Sequence, residues 1–286
     1  MKNKELKQEI IEYFIKEYYS NFKELCEVFT LNELKKRLNK NIKKLVTNKK
    51  SVVYLGRYYI INKKIKIYNK NINNKKLEID DIKSNLKLKS TLIHEFTHAL
   101  LRKNIVTTGC FTANFSLSMF KHYPRSVVKN RGLNEGITNW IVEKSGIRTV
   151  SYRLETNIVK QLEVILGSKN ILNVILEKSK NVYKILNLTK KEFKKFSEML
   201  DNINYIDIKL IRKINKHKDV VNLRKKREQN AITIQKFIFN KYIHNNLSNS
   251  NMLKIYTLML EYQNIIDTKI EEVVNIEKKL KANGLL

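Results

Sequence analysis

The sequence predicts an α+β fold that is mostly helical, with one small sheet. Apolar residues recur at helical spacing along most of the chain, whereas residues 51–70 are rich in β-branched and aromatic side chains. Hydrophobic residues make up 42% of the 286 residues, which is enough to form a buried core. We expect three segments: an N-terminal helical segment (1–50), a mixed core (51–170) and a C-terminal helical region (171–286).

The first two helices are predicted by spacing and by a capping pattern. Thr30 and Glu33 have the spacing of a capping box, in which each side chain bonds the backbone N–H of the other residue. A second helix is therefore expected from this point to about Val46. The first helix is expected within residues 4–28, where one face carries these apolar side chains: Ile11, Phe14, Ile15, Tyr18, Phe22 and Leu25.

The sheet is predicted in the sequence SVVYLGRYYIINKKIKIYNK, residues 51–70. Gly56 and residues 62–64 interrupt its β-branched and aromatic side chains, so two or three strands are expected. The helical spacing then returns and covers STLIHEFTHALLRKN, residues 90–104. Shorter helices are expected at 133–144 and 152–167, and the chain after residue 170 is predicted to be almost entirely helical.

The composition limits the kinds of partner. The formal net charge is +30, which favours polyanions, but the lysines are scattered as a codon bias would scatter them. The one basic cluster, residues 224–227, is explained by a solvated helix face or by a nucleic-acid contact, and both stay open. The two cysteines, Cys26 and Cys110, favour reduced thiols. Without a signal peptide or a long apolar run, we expect a cytoplasmic protein with no membrane partner.

Residues 94–98, His-Glu-Phe-Thr-His, have the spacing of a metal site. His94 and His98 lie one turn apart on one helical face, where both imidazoles can bind one Zn²⁺. Glu95 is rotated by about 100° from His94, so it can reach a water on the metal without being a ligand. Zinc acidifies that water and the carboxylate takes its proton, which is the arrangement for metal-assisted peptide hydrolysis.

A catalytic zinc ion needs a third protein ligand. We prefer Glu135, near the start of the helix expected at 133–144. Asn139 follows four residues later on the same face, where it can hydrogen-bond a ligand imidazole and fix its tautomer. The alternatives for the third ligand are His122, Glu143, His217 and His244.

Residues 94–98, followed by Asn134-Glu135-Gly136, resemble the gluzincin zinc metallopeptidases, in particular lethal-factor-type and minimal gluzincin catalytic domains. The resemblance covers about residues 50–170. It implies a zincin-like core with a small sheet over the HExxH helix. The helical additions expected at both ends lie outside the resemblance. It also implies one Zn²⁺ per chain held by two histidines and Glu135, with Glu95 as the general base. Asn139 stands where the family usually has Asp, so this contact is neutral here.

The resemblance implies two further features of the site. Gluzincins stabilise the oxyanion with a Tyr or His, and Tyr152 is preferred for this role over the alternative Tyr123. Zincins bind an extended substrate along an edge strand, and residues 63–69 are the candidate, because lysines guard an exposed edge against aggregation.

We therefore expect a zinc-dependent metallopeptidase whose partner is a peptide or protein substrate. The alternative is a non-catalytic protein stabilised by zinc. Its basic C-terminal half would contact nucleic acid or an acidic partner.

Overall fold

A computed structural model of the chain describes residues 2–48, 55–68, 78–103, 107–108, 111–113, 128–147, 149, 151–176, 181–243 and 247–286. The helices are α1 (Lys2–Asn21), α2 (Lys23–Val28), α3 (Leu31–Asn41), α4 (Ile79–Ser84), α5 (Leu86–Leu100), α6 (Arg131–Lys144), α7 (Arg153–Leu166), α8 (Ser168–Leu176), α9 (Val182–Ile185), α10 (Lys190–Ile214), α11 (Val221–Ile238), α12 (Asn249–Ile266) and α13 (Glu271–Ala282). A π-helical turn, Phe239–Ile243, continues α11. The strands are β1 (Lys44–Asn48), β2 (Gly56–Tyr59), β3 (Lys64–Tyr68), β4 (Thr107–Thr108), β5 (Phe111–Ala113) and β6 (Val128–Lys129). The mostly helical α+β class is confirmed.

The N-terminal helices follow the predicted pattern, with one correction. The six apolar residues predicted on one face of residues 4–28 are buried, and the helix is interrupted at Phe22. The capping box of Thr30 and Glu33 is present at the start of α3. The prediction that this helix continues to about Val46 is wrong, because Ile42 is extended and Lys44–Asn48 form β1. Pairing with a distant strand overrides the local helical preference there.

Strands β1, β3 and β2 form a three-stranded sheet in that order. Strand β3 is parallel to β1 and antiparallel to β2. The prediction that residues 63–69 form an edge strand is therefore wrong, since β3 is central and, among the strands that the structure describes, β2 lies at an edge. Ile65 and Ile67 of β3 are buried and alternate with partly exposed lysines, as expected for a sheet with one covered face.

The chain forms two compact units. One contains Met1–Val128 and Thr138–Ser151, and its core combines α1, α3, α5 and the sheet. The other contains Lys129–Ile137 and Tyr152–Leu286, where α10 packs on α11 and α7 packs on α12. The three segments expected from the sequence stay a prediction.

Within the described residues, none of the helices combines the length and the apolar character needed to cross a membrane.

Candidate metal centre

Helix α5, which carries the histidine pair, is fixed by its neighbours. The Asn85 side chain accepts a hydrogen bond from the Leu88 N–H and caps the first turn. The fully buried Tyr18 of α1 donates to the Ile93 carbonyl and shares a 2.6 Å hydrogen bond with the Thr97 hydroxyl. Near the other end of the helix, Asn41 donates to the Ala99 carbonyl at 2.9 Å. These contacts hold the helix in place along its length.

His94 and His98 face each other on one side of α5. They are 9% and 8% exposed, and their Nε2 atoms lie 3.0 Å apart. Two nitrogens at zinc-ligand distance from one tetrahedral ion would be roughly 3.3 Å apart. The two imidazoles therefore already have nearly the separation that a shared metal ion requires.

Asn139 of α6 fixes the tautomer of His94. Its side-chain Nδ2 donates to the Ser151 carbonyl, which can only accept, so its Oδ1 faces His94. Oδ1 lies 2.7 Å from His94 Nδ1 and must accept the proton of that nitrogen. The Nε2 lone pair of His94 is thus directed toward His98, where a metal ion would bind.

Glu135 completes the group from the first half of α6. One ligand atom from each of His94, His98 and Glu135 lies within 4.8 Å of the others. This is the one such group of three or more metal-binding side chains among the residues that the structure describes. The Glu135 side chain is 12% exposed, and Arg131 Nε lies 3.8 Å from its Oε1. A partly buried carboxylate and two imidazoles can together hold a metal ion.

Glu95 lies beside the histidines but under the sheet. The residue is 6% exposed. A Cβ added to Gly56 of β2 would lie 2.9 Å from Glu95 Cγ and 3.0 Å from Oε1, and 2.7 Å from Thr91 Cγ2. A glycine is therefore needed at this point, because the edge strand approaches α5 closely enough to touch the carboxylate.

The donor set fits a catalytic metal ion. Two imidazole nitrogens and one carboxylate are the protein ligands of one class of catalytic zinc, which leaves a position open for water or substrate. The same donors also suit ferrous iron, so they do not identify the metal. The carboxylate of Glu95, one residue from a ligand, is the additional group that a hydrolytic reaction requires.

The remaining predicted residues lie in different places. Tyr152 directly precedes α7 in a left-handed conformation, with φ of 53°, next to the Ser151 carbonyl that Asn139 binds. Glu143 accepts a hydrogen bond from the Thr149 hydroxyl and does not belong to the metal-binding group. His217 is an exposed turn residue after α10. Three predicted alternatives, Tyr123, His122 and His244, lie outside the described residues.

Sequence reasoning missed two residues that support the site. Gly56 was interpreted only as an interruption of the strands, although it admits Glu95 beneath β2. Asp201 was not singled out, although its carboxylate accepts hydrogen bonds from the start of α6. No local signal identifies Asp201, because it lies about 70 residues from its partners.

No protein-family model, curated protein or solved structure matches the chain.

Proposed function

We propose that the protein is a zinc-dependent metallopeptidase of the gluzincin type with a zincin-like core. One observation carries the proposal: the ligand atoms of His94, His98 and Glu135 converge within 4.8 Å. Glu95, the residue that follows the first histidine, provides the proton acceptor that peptide hydrolysis needs.

Three side chains have separate proposed roles in the reaction. When bound, zinc polarises the substrate carbonyl and acidifies a water molecule. Glu95 accepts the proton of the attacking water and returns it to the leaving amine, so that the carboxylate is regenerated at the end of the cycle. Asn139 keeps the His94 ring in one tautomer throughout. Tyr152 remains the proposed donor to the oxyanion.

The sheet offers a place for an extended substrate. Strand β2 is an edge strand, and its Gly56 contacts Glu95. A peptide added to this edge would bond through its backbone and lie near the proposed base. We therefore assign the substrate edge to β2 in place of residues 63–69.

The direct test combines metal analysis of the purified protein with cleavage of a peptide library. We expect one zinc ion per chain and hydrolysis that a chelator abolishes. Glu95→Gln keeps the size of the side chain and should retain zinc while losing about 10²–10⁴-fold in rate. Glu143→Gln is the control, because Glu143 lies outside the metal-binding group.

Two results would reject this function. One is a correctly folded wild-type protein that binds no metal. The other is a Glu95→Gln variant that cleaves peptides as fast as the wild type does. A chain that retains iron and not zinc would redirect the assignment to oxygen chemistry.

The second candidate is a zinc-stabilised binding protein without catalysis. The net charge of +30 and the cluster at residues 224–227 favour a contact with nucleic acid or an acidic partner. Arg224, Lys225 and Lys226 are exposed, whereas Arg227 forms an ion pair with Asp207. Three charges of the cluster therefore face solvent.

Salt dependence tests the second candidate. Counterion release makes the binding constant of nucleic acid fall steeply as salt increases. Replacing Arg224, Lys225 and Lys226 with serine should reduce that slope. Serine at three exposed lysines of α13 (Lys278, Lys279 and Lys281), outside the cluster, is the control of equal charge. Absence of nucleic-acid binding at low salt would eliminate the nucleic-acid form of this candidate.

A further inference from the structure

The start of α6 is held by hydrogen bonds to α10, a helix that is distant in the sequence. The backbone N–H of Asn130 donates to Asp201 Oδ2 at 3.0 Å, and that of Gly132 donates to Oδ1 at 2.8 Å. The Ser197 hydroxyl, one turn before Asp201, donates to the Asn130 side chain at 2.6 Å. These bonds satisfy backbone groups that a helix N-terminus otherwise leaves unpaired, and they place a carboxylate at the positive end of the helix dipole.

Two glycines bring the same part of α6 against neighbouring backbone. A Cβ at Gly132 would lie 2.5 Å from the Leu200 carbonyl group of α10. A Cβ at Gly136 would lie 2.6 Å from the Glu155 carbonyl oxygen of α7. These two glycines are one helical turn apart, and Glu135 lies between them in the sequence. Backbone contacts of this kind leave the first turns of α6 little freedom to shift.

The charge of Asp201 is retained at neutral pH. Burial raises its pKa to about 6, and the backbone N–H groups of Gly132, Asn130 and Arg131 oppose that rise. At pH 7.5 the carboxylate is therefore mostly ionised. An ionised cap bonds backbone N–H groups more strongly than a neutral one does.

We propose that Asp201 is a positioning residue for the metal ligand Glu135. Its carboxylate fixes the start of α6, and Glu135 follows three residues after Gly132, so Asp201 holds the helical turn that carries the third ligand. The inference rests on the proposed metal site. It assigns the C-terminal helices a part in metal binding that the zincin resemblance, which ends near residue 170, does not contain.

The test measures metal binding, not activity. Apo protein at pH 7.5 is titrated with zinc against a chromogenic chelator, and the absorption spectrum of the cobalt-substituted protein reports the coordination geometry. Asp201→Asn is compared with Asp207→Asn. Asp207 lies on the same helix, and its carboxylate has similar burial but pairs with Arg227 and not with α6. Thermal unfolding shows that each variant is folded at the temperature of the titration.

We expect about tenfold weaker zinc binding and an altered cobalt spectrum for Asp201→Asn, with Asp207→Asn close to wild type. If Asp201→Asn matches Asp207→Asn in affinity and spectrum, the inference is overturned while the proposed metal site stands. A wild-type protein without zinc affinity overturns both. Should Asp201→Asn not fold, Ser197→Ala decides in the same way: weaker zinc binding supports the inference, and unchanged binding overturns it.

Discussion

The two helices that carry the metal-binding side chains are held in different ways. Helix α5 is held along its length by apolar burial and by side-chain hydrogen bonds from the N-terminal helices, among them those of Tyr18 and Asn41. The first turns of α6 are held by backbone contacts at Gly132 and by the buried carboxylate of Asp201. Apolar packing tolerates volume-conserving changes of side chain, whereas a backbone contact without room for a methyl group tolerates no added side chain.

This difference separates stability from metal affinity. A defect in the packing of α5 should lower the free energy of unfolding and leave the histidine pair intact once the chain is folded. A defect at the start of α6 should displace Glu135 in a chain that still folds. Three experiments test this separation and a fourth tests the pH dependence of stability; their order runs from the largest expected effect to the smallest.

Phe96→Ala on α5 should destabilise the protein by about 4 kcal/mol. The ring is fully buried, and its centroid lies 4.6 Å from that of Phe14. Denaturant unfolding measures the loss, and Leu86→Ala, which truncates a side chain of the same helix that is 72% exposed, should stay within about 0.5 kcal/mol of wild type. Loss of zinc affinity in the folded Phe96→Ala variant would contradict the separation of stability from metal affinity.

Glu155 of α7 should make the stability of the protein sensitive to pH. Burial, aided by the negative charge of Asp207, raises the pKa of Glu155 from 4.5 to about 8. The folded chain therefore binds this proton more tightly than the unfolded chain does. The resulting stabilisation is complete below about pH 4.5 and is lost as pH rises through about 8, a change of about 4 kcal/mol between pH 5 and pH 9.

Glu155→Gln should remove this loss of stability between pH 5 and pH 9, as measured by denaturant unfolding at each pH. The Oε2 atom of Glu155 has no hydrogen-bond partner among the described residues, so the substitution leaves few contacts broken. Glu163→Gln removes a half-buried carboxyl from the same helix and is the control. An unchanged pH dependence in Glu155→Gln would show that this carboxyl is not the source.

Gly132→Ala should cost about 2 kcal/mol, because the added methyl group meets the Leu200 backbone at 2.5 Å. It should also weaken zinc binding by shifting Glu135. Gly167→Ala is the matched control: its φ of 87° and ψ of 150° lie in a region that essentially only glycine adopts, so the substitution costs about 1–3 kcal/mol, but no described atom beyond its chain neighbours lies within 4 Å of the new methyl group. Equal zinc affinity in the two alanine variants would contradict the role given to the backbone contact.

Tyr18→Phe should cost about 1 kcal/mol, since it removes the hydroxyl that bonds Ile93 and Thr97. Zinc affinity should be unchanged, because the Ile93 carbonyl and the Thr97 hydroxyl are not metal-binding groups and the ligand side chains of α5 are left as they are. Calorimetry combined with the chelator titration separates the two quantities. A Tyr18→Phe variant with normal stability and weakened zinc binding would show that this contact of α5 serves metal binding and not stability.

The sequence predicted what depends on local spacing. His94 and His98 share one face because they are four residues apart, and Asn139 meets His94 because it follows Glu135 by one turn of α6. The start of α3 at Thr30 and the end of α7 at Gly167 were also predicted from local capping residues.

What depends on distant pairing was not predicted. Residues 63–69 carry lysines that fit an edge, yet β1 pairs with β3 in parallel and makes it central. Nothing within Lys44–Asn48 identifies a strand until the partner is known, since a strand of five residues gains its stability from the neighbour. Asp201 likewise bonds the start of α6 only because the fold brings together residues that are about 70 positions apart.

The amide that orients His94 has no titratable proton. A carboxylate in the place of Asn139 would change its charge with acidity and would alter the basicity of the imidazole it holds. Here the group that aligns the ring does not change its charge with pH, and the hydrogen bond to the Ser151 carbonyl prevents a flip of the Asn139 amide.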